Sequence, residues 1–175
     1  SWKLDGLTVV LTYEKGSLAK AVTRGNGQVG EVITNNARTF QNLPLNIPYQ
    51  GRLTLRGEAI IKYSDFHKIN KEIGEAEAKY KNPRNLCSGS VRQLNSEVTA
   101  ARNVNFIAFA LIHVEGVDFD NSMENQYRWL ESQGFEVVER KIVTESDMEE
   151  VVSYFAEKVK TYDYPSDGLV LMYDD

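Results

Sequence analysis

The first residues of the chain, SWKLDG, bring an amine, a carboxylate and a glycine close together as Lys3, Asp5 and Gly6. This cation and anion, two positions apart, begin a strand whose next residues, Leu7 to Leu11, are almost wholly apolar. A lysine becomes a nucleophile when it loses its proton, and at neutral pH this needs desolvation or nearby cations. The alternative is a Lys–Asp ion pair on the solvent face of an edge strand, and K-x-D-G alone is typical of that pair.

A second candidate for ligand binding is the sequence TRGNG, in which Arg24 precedes Gly25 and Gly27. Glycine adopts positive φ without strain, so the backbone of such a turn can approach another group closely. A simple loop is the alternative.

The apolar sequence LTLRGEAIIK predicts a strand, yet it carries Arg56 and Glu58 in its middle. Both face the same side of the strand, and Glu58 directly precedes an apolar run. An acid that points inward and an exposed ion-pairing face are both open on this evidence.

The middle of the chain is locally basic, although the formal net charge is −5. Arg84, Arg92 and Arg102 fall within one stretch, whereas the region from 115 to 150 is acidic. A surface that faces phosphate is therefore expected on the middle segment.

The pattern of apolar residues and turns predicts an α+β fold with mainly antiparallel sheets flanked by helices. The predicted strands cover 2–13, 18–23, 53–62, 106–114, 135–143 and 167–172. The predicted helices cover 31–40, 64–80, 122–134 and 147–160, and Ser64 is the expected N-cap of the second.

Composition predicts one domain, since 175 residues with 42% hydrophobic content can bury a core. The single cysteine, Cys87, excludes a disulfide within the chain and fits a reducing compartment; burial is its expected state. His67 and His113 lack the spacing of metal ligands. No segment has the pattern of a signal peptide or membrane span, so we expect a cytoplasmic protein without membrane contact.

In chain order, the motifs KLDG, TRGNG, LRGE, NPRN with SGSVRQL, and SDGLVL resemble the nucleotidyltransferase core of bacterial NAD-dependent DNA ligases. The resemblance covers essentially the whole chain and implies the fold shared by ligases and mRNA capping enzymes. K-x-D-G also occurs in ATP-dependent DNA ligases and RNA ligases. The sequence from 82 to 94 indicates the NAD-dependent branch.

The resemblance implies that Lys3 attacks the α-phosphorus of NAD, releases nicotinamide mononucleotide and becomes lysyl-AMP, whose AMP passes to the 5′-phosphate of nicked DNA. Asp5 would orient Lys3 and organise cations or the ribose. Mg²⁺ would neutralise charge that develops on the phosphoryl oxygens.

The same resemblance implies binding roles for other residues. Arg24 would contact the AMP ribose or phosphate, and Gly25 and Gly27 would allow close approach of the backbone. Glu58 would accept hydrogen bonds from the ribose hydroxyls, and Phe109 would stack on adenine. Arg84 and Arg92 would face the nicked DNA and its 5′-phosphate, where a forked guanidinium suits phosphate oxygens.

Three positions differ from the pattern of the family. Ser1 replaces the usual glutamate near adenine, Met172 replaces a lysine that contacts phosphate, and Asn26 replaces an aspartate. The first two departures keep open a degenerate nucleotide-binding module whose lysine no longer reacts. An ATP-dependent DNA ligase or RNA ligase is the alternative among enzymes.

The resemblance also implies that residues 1–175 form only the adenylation core. The nicotinamide-recognition domain, the OB-fold, the zinc module and further DNA-binding modules would lie outside the chain. We expect such a core to be a monomer that holds AMP weakly, reacts very slowly with NAD and does not seal nicks alone.

Overall fold

A computed structural model describes residues 1–24, 30–73 and 80–172, and within them the chain forms two antiparallel sheets with helices around them. The strands are β1 (Trp2–Leu4), β2 (Leu7–Glu14), β3 (Ser17–Arg24), β4 (Leu53–Ile60), β5 (Asn105–His113) and β6 (Ser166–Leu169). The helices are α1 (Thr34–Ala37), α2 (Tyr63–Glu72), α3 (Pro83–Val91), α4 (Ser96–Ala100), α5 (Met123–Ser132) and α6 (Met148–Lys158). A 3₁₀ turn, Glu145–Asp147, precedes α6. The predicted α+β class with antiparallel sheets is confirmed.

The larger sheet has the order β3-β2-β4-β5, and β1 pairs only with β6 in a separate two-stranded sheet. The β2–β3 hairpin turns at Lys15 and Gly16, which both have positive φ and lie between the strands predicted over 2–13 and 18–23. Val9, Leu11 and Tyr13 alternate along β2 and are fully buried. Because β2 is a central strand and its buried residues alternate along it, one face of β2 packs on the main core.

The predicted single strand over 2–13 is wrong, because the chain leaves one sheet and enters the other at Asp5 and Gly6. Gly6 lies against β4, and a Cβ there would collide with the carbonyl oxygen of Ala59. Close approach of two backbones therefore requires glycine at this corner.

Gly6→Ala should lower the free energy of unfolding by about 1–3 kcal/mol, since the added methyl group has to displace backbone. Urea unfolding of the isolated chain measures this. Gly89→Ala is the comparison, because its methyl group would meet only the Tyr80 side chain, which can move. A Gly6→Ala protein as stable as the parent would contradict the assignment of a tight corner.

Two helix predictions need correction. The helix expected over 31–40 is only Thr34–Ala37. Ser64 lies inside α2, where its backbone N–H donates to the Asp163 side chain at 2.9 Å, and Lys62 holds the N-cap position. The α2 helix ends at Glu72, before the predicted end, and residues 74–79 lie outside the described part of the chain.

The start of α3 follows from its sequence. Pro83 occupies the first turn, where its missing N–H costs nothing, and the Asn82 side chain accepts a hydrogen bond from Asn85 N at 2.8 Å. The helix runs through Gly89, which allows the Tyr80 hydroxyl to approach its backbone. This start places Arg84 in the first turn of α3.

The strand predicted over 135–143 is wrong: within this segment only Val137 forms a bridge, parallel to Ala108 of β5. The Val138 backbone N–H also donates to the Ala108 carbonyl oxygen at 2.9 Å, and Arg140 then bonds through its side chain. Arg140 binds Glu124 at 2.8 Å and Glu131 at 2.8 Å, both of which belong to α5. Those contacts hold the segment beside β5 without the hydrogen-bond ladder of a paired strand.

The final strand is also shorter than predicted, since β6 ends at Leu169 and the prediction extended to 172.

Cys87 is fully buried, as expected, and burial raises the pKa of its thiol. Across the described ranges, no helix has the length and apolar character needed to cross a bilayer.

Candidate active site

A cavity of about 440 Å³ opens between the small β1–β6 sheet and the edge of the larger sheet. Its wall contains six of the residues that the sequence singled out: Lys3, Asp5, Arg24, Glu58, Arg84 and Phe109. These residues come from widely separated parts of the chain. Gly25 and Gly27 lie outside the described residues, and Arg92 does not line the cavity.

Lys3 is exposed at the centre of β1, while its neighbours Trp2 and Leu4 are buried at 5% and 9% exposure. Opposite Lys3 on β6 lies Gly168, which adds no side chain to cover it. The amine forms neither a hydrogen bond nor an ion pair within the part of the chain that the structure describes. It is therefore free to contact a ligand in the cavity.

Asp5 pairs with Arg84 and not with Lys3: Oδ1 of Asp5 lies 3.7 Å from Nη1 of Arg84. Both side chains are partly exposed, so the pair contributes little to stability. The alternative of a surface Lys3–Asp5 ion pair is not what the structure shows. Arg84 and Arg24 instead add positive charge to the cavity that Lys3 lines.

Glu58 is buried at 7% exposure and is held by two donors. Thr8 Oγ1 donates to Oε1 at 2.6 Å, and the Gly6 backbone N–H donates to Oε2 at 3.0 Å. Burial raises the pKa of Glu58, and the two hydrogen bonds oppose that shift. Each carboxylate oxygen keeps a further lone pair for a ligand. The alternative of an exposed ion-pairing face is wrong for Glu58.

An aromatic side chain, Phe109 of β5, forms part of the opposite wall. Tyr127 from α5 lies beside it and donates its hydroxyl to the Phe109 carbonyl oxygen at 2.9 Å. Arg56 lies 6.0 Å from the centre of the Phe109 ring, which adds a cation–π contact outside the cavity. This wall offers an apolar surface to a planar ligand.

Sequence reasoning gave no site role to Thr8 or Tyr127, which both belong to the cavity wall. Tyr127 is also buried. Thr8 had a weak signal, because it is the first polar residue after K-x-D-G. Its role follows from register, since Thr8 pairs with Glu58 across β2 and β4.

Arg92 lies at the carboxyl end of α3, away from the cavity. Its Nε lies 3.1 Å from Glu31 Oε2, and its Nη1 donates to the Ser88 carbonyl oxygen at 3.2 Å. Ser1 and Met172, the two departures from the family pattern, line the cavity itself. Met172 adds no positive charge to the cavity.

Whether Mg²⁺ fits the cavity depends on the side chains that could bind it. Among residues 1–24, 30–73 and 80–172, no three His, Cys, Asp or Glu side chains cluster as a metal site. Mg²⁺ in proteins commonly uses one or two carboxylates together with substrate phosphate oxygens. Asp5 is a suitable carboxylate at the cavity wall, so the residues fit a metal ion that arrives with a phosphate ligand.

The fold and the site define an α+β protein in which a lysine, two arginines and a buried glutamate surround one cavity. Comparison with known proteins adds the family. The family model of the NAD-dependent DNA ligase adenylation domain matches residues 1–175, and the chain belongs to this family.

Several curated DNA ligases are similar to the chain over nearly all of its length. The identity is 62% over 175 residues with the DNA ligase of Lachnoclostridium phytofermentans and 61% over 175 residues with that of Ruminiclostridium cellulolyticum. Both alignments cover 100% of the chain and 27% of the relative. A DNA ligase of Desulfitobacterium hafniense is 40% identical over 178 residues, which cover 99% of the chain and 27% of that relative. The chain thus spans about a quarter of the length of these relatives.

Proposed function

We propose that the chain performs the adenylation step of NAD-dependent DNA ligation, with Lys3 as the nucleophile, on a nucleotidyltransferase core. The observation that carries this proposal is the meeting of Lys3, Arg24, Glu58 and Arg84 in one cavity. Family membership supports NAD as the adenylate donor.

In the proposed step, the neutral Nζ of Lys3 attacks the α-phosphorus of NAD. A P–N bond forms, the P–O bond to nicotinamide mononucleotide breaks, and the amine gives up a proton. The leaving mononucleotide takes the electron pair of the broken bond as a phosphate. The AMP on Lys3 then passes to the 5′-phosphate of nicked DNA, and the adjacent 3′-hydroxyl displaces AMP to seal the strand.

The wall residues suit the parts of an adenylate. Glu58 keeps acceptor capacity for the ribose hydroxyls, and Phe109 offers a ring for adenine. Arg24, at the end of β3, would contact the ribose or the phosphate. The cavity volume of about 440 Å³ is adequate for a ligand of this size.

Arg84 and Asp5 serve the phosphate end of the ligand in this proposal. Arg84 lies at the cavity and offers a forked donor to the α-phosphate, and then to the DNA 5′-phosphate when AMP moves on. Asp5 would hold Mg²⁺ together with phosphate oxygens, and the bound metal would supply charge neutralisation. Arg92 lies outside the cavity, so we assign it to the DNA backbone.

A second candidate function is supported by Ser1 and Met172, which both line the cavity. They stand where the family usually has a glutamate and a lysine. A protein that binds adenylates without reacting would have this composition. The two functions differ only in whether Lys3 forms a covalent bond to the adenylate. A binding measurement therefore cannot separate them.

A test that separates the candidates uses a hybrid ligase, defined as the Lachnoclostridium phytofermentans enzyme in which this chain replaces the matching region. We expect NAD with Mg²⁺ to give adenylated hybrid ligase, and ATP to give none. Labelled NAD and labelled ATP followed on a denaturing gel measure this. Labelling from ATP would move the chain to the ATP-dependent branch.

If neither nucleotide labels the hybrid ligase while AMP still binds the isolated chain in calorimetry, the non-reacting module is correct. The unmodified Lachnoclostridium phytofermentans ligase, carried through the same assay, is the matched control for labelling conditions. Its 62% identity with the chain makes the two proteins comparable.

A further inference from the structure

We propose that Glu139 and Trp2 form a clamp that positions the strand of Lys3 for its attack. This inference rests on the proposed function, because it concerns the rate of the same step. Neither residue lies among those that the sequence singled out. Glu139 does not line the cavity, whereas Trp2 is part of its wall. We assign both as positioning residues, because each acts on the reaction through Lys3.

The strand that carries Lys3 has little support of its own. β1 is three residues long, and its sheet partner is β6 alone, four residues long. The pairing is also irregular, with a shift in register between Lys3 and Leu4. Short two-stranded ribbons are marginal without packing. The position of Lys3 therefore depends on what its buried neighbours contact.

Trp2 provides the main packing of β1. Its ring stacks on Tyr162 with centroids 4.6 Å apart and planes at 15°, and it meets Phe155 edge-on at 4.8 Å. Together with Ile60 and Ile107 these residues belong to a smaller core, separate from the main one. Trp2 and Lys3 are consecutive, so a shift of the indole moves the amine.

Glu139 adds directional hydrogen bonds to this packing, and its carbonyl oxygen also accepts from the Trp2 backbone N–H at 3.4 Å. The Trp2 Nε1–H donates to Glu139 Oε2 at 3.0 Å. The second oxygen, Oε1, accepts from Lys158 Nζ at 2.8 Å and from the Tyr154 hydroxyl at 2.9 Å. Both of those donors belong to α6.

Glu139 therefore connects two parts of the molecule through its two oxygens. One oxygen holds the strand of Lys3, and the other is fixed by α6. Partial burial acts to raise the pKa of Glu139, but hydrogen bonds from Lys158, Trp2 and Tyr154 lower it overall, so the acceptor is charged. A charged acceptor makes a stronger bond to the indole.

A small displacement of a nucleophile is costly in rate, because an offset of about 1 Å lowers a reaction about 100-fold. Loss of the clamp should therefore act on the chemical step and not on nucleotide affinity. The residues proposed to bind the nucleotide, such as Glu58 and Phe109, lie on β4 and β5 and not on β1.

The test measures single-turnover adenylation of the hybrid ligase at saturating NAD. Trp2→Phe keeps a ring but removes the donor, and Glu139→Ala removes the acceptor. Each should lower the rate about 10- to 100-fold with KM for NAD unchanged. The double variant should lose no more than the larger of the two single losses, since both single variants break the same bond between Trp2 and Glu139. Glu139→Gln keeps an acceptor oxygen and should recover most of the rate.

Glu136→Ala is the matched control, because Glu136 lies on the same segment but its side chain bonds Asn42 and Tyr164 and not Trp2. It should leave the rate unchanged. Hydrogen exchange gives a second reading that needs no activity: the backbone amides of 2–4 should exchange faster in Trp2→Phe and Glu139→Ala.

Unchanged rates and exchange in both single variants would overturn the clamp. Losses that multiply in the double variant, or an equal loss in Glu136→Ala, would also overturn it and indicate general destabilisation. If the parent hybrid ligase takes up no adenylate, the proposed function fails. The exchange of 2–4 then decides the clamp alone, and unchanged exchange overturns it.

Discussion

Lys3→Ala should abolish adenylation of the hybrid ligase by NAD, with a loss of rate of about 10⁴-fold or more, because the variant has no nucleophile at the cavity. Lys3→Arg should lose as much, since a guanidinium keeps the charge but stays protonated. The rate of label transfer from NAD measures both variants.

The fold should survive these changes. Lys3 is exposed and its amine has no partner within the described ranges, so its removal leaves no buried group unpaired. Lys20→Ala is the matched control, because Lys20 is an exposed lysine on β3 and does not line the cavity. A Lys3→Ala protein that still becomes adenylated at the parent rate would place the nucleophile elsewhere.

Glu58→Gln should weaken AMP binding to the isolated chain about 10- to 100-fold, the value of a hydrogen bond to a charged acceptor. The amide keeps the shape of the side chain, but its NH₂ group cannot accept from Thr8 or Gly6. Calorimetric titration with AMP measures the affinity. Glu136→Gln, an exposed change outside the cavity, should bind AMP as the parent does. An unaltered affinity in Glu58→Gln would remove Glu58 from the ribose site.

AMP affinity should also depend on pH through Glu58. Burial raises its pKa, so as pH falls the carboxylate takes up a proton at a higher pH than an ordinary glutamate, and affinity falls with it. The contribution of Glu58 to folding has the opposite sign. A raised pKa in the folded state gives stability that is present below the ordinary glutamate pKa and is lost as pH rises through the raised value. Glu58→Gln should abolish both dependences.

Local signals in the sequence predicted much of the fold. The β2–β3 turn was predictable because Lys15 and Gly16 sit between apolar runs that alternate. The helix α5 begins one residue after Ser122, whose side chain accepts from Asn125 N at 3.1 Å, and it ends before Gly134. Caps and turns depend on neighbours in sequence, which a pattern can show.

The errors in the fold came from contacts between distant residues. The break at Gly6 depends on the carbonyl of Ala59, which lies on another strand. The segment 135–143 has the apolar content of a strand, but Arg140 bonds to α5 and Glu139 to α6. The local sequence pattern of that segment does not show which residues its charged side chains will contact.

The candidate site divides in the same way. Residue types and order selected Lys3 and Glu58, and the family resemblance added Phe109; all three line the cavity. The pairing of Asp5 with Arg84 was not predictable, because it depends on how α3 packs against β2 and β4. Thr8 was missed because its contact with Glu58 follows from strand register, which spacing along one strand cannot give.

The most direct test of the account is mass spectrometry of the hybrid ligase after incubation with NAD and Mg²⁺, first on the intact protein and then on its peptides. The account predicts a gain of one adenylate, located on the peptide that contains Lys3 and attached at that residue. A folded hybrid ligase that gains no adenylate, or one that carries it at a different residue, would contradict the account.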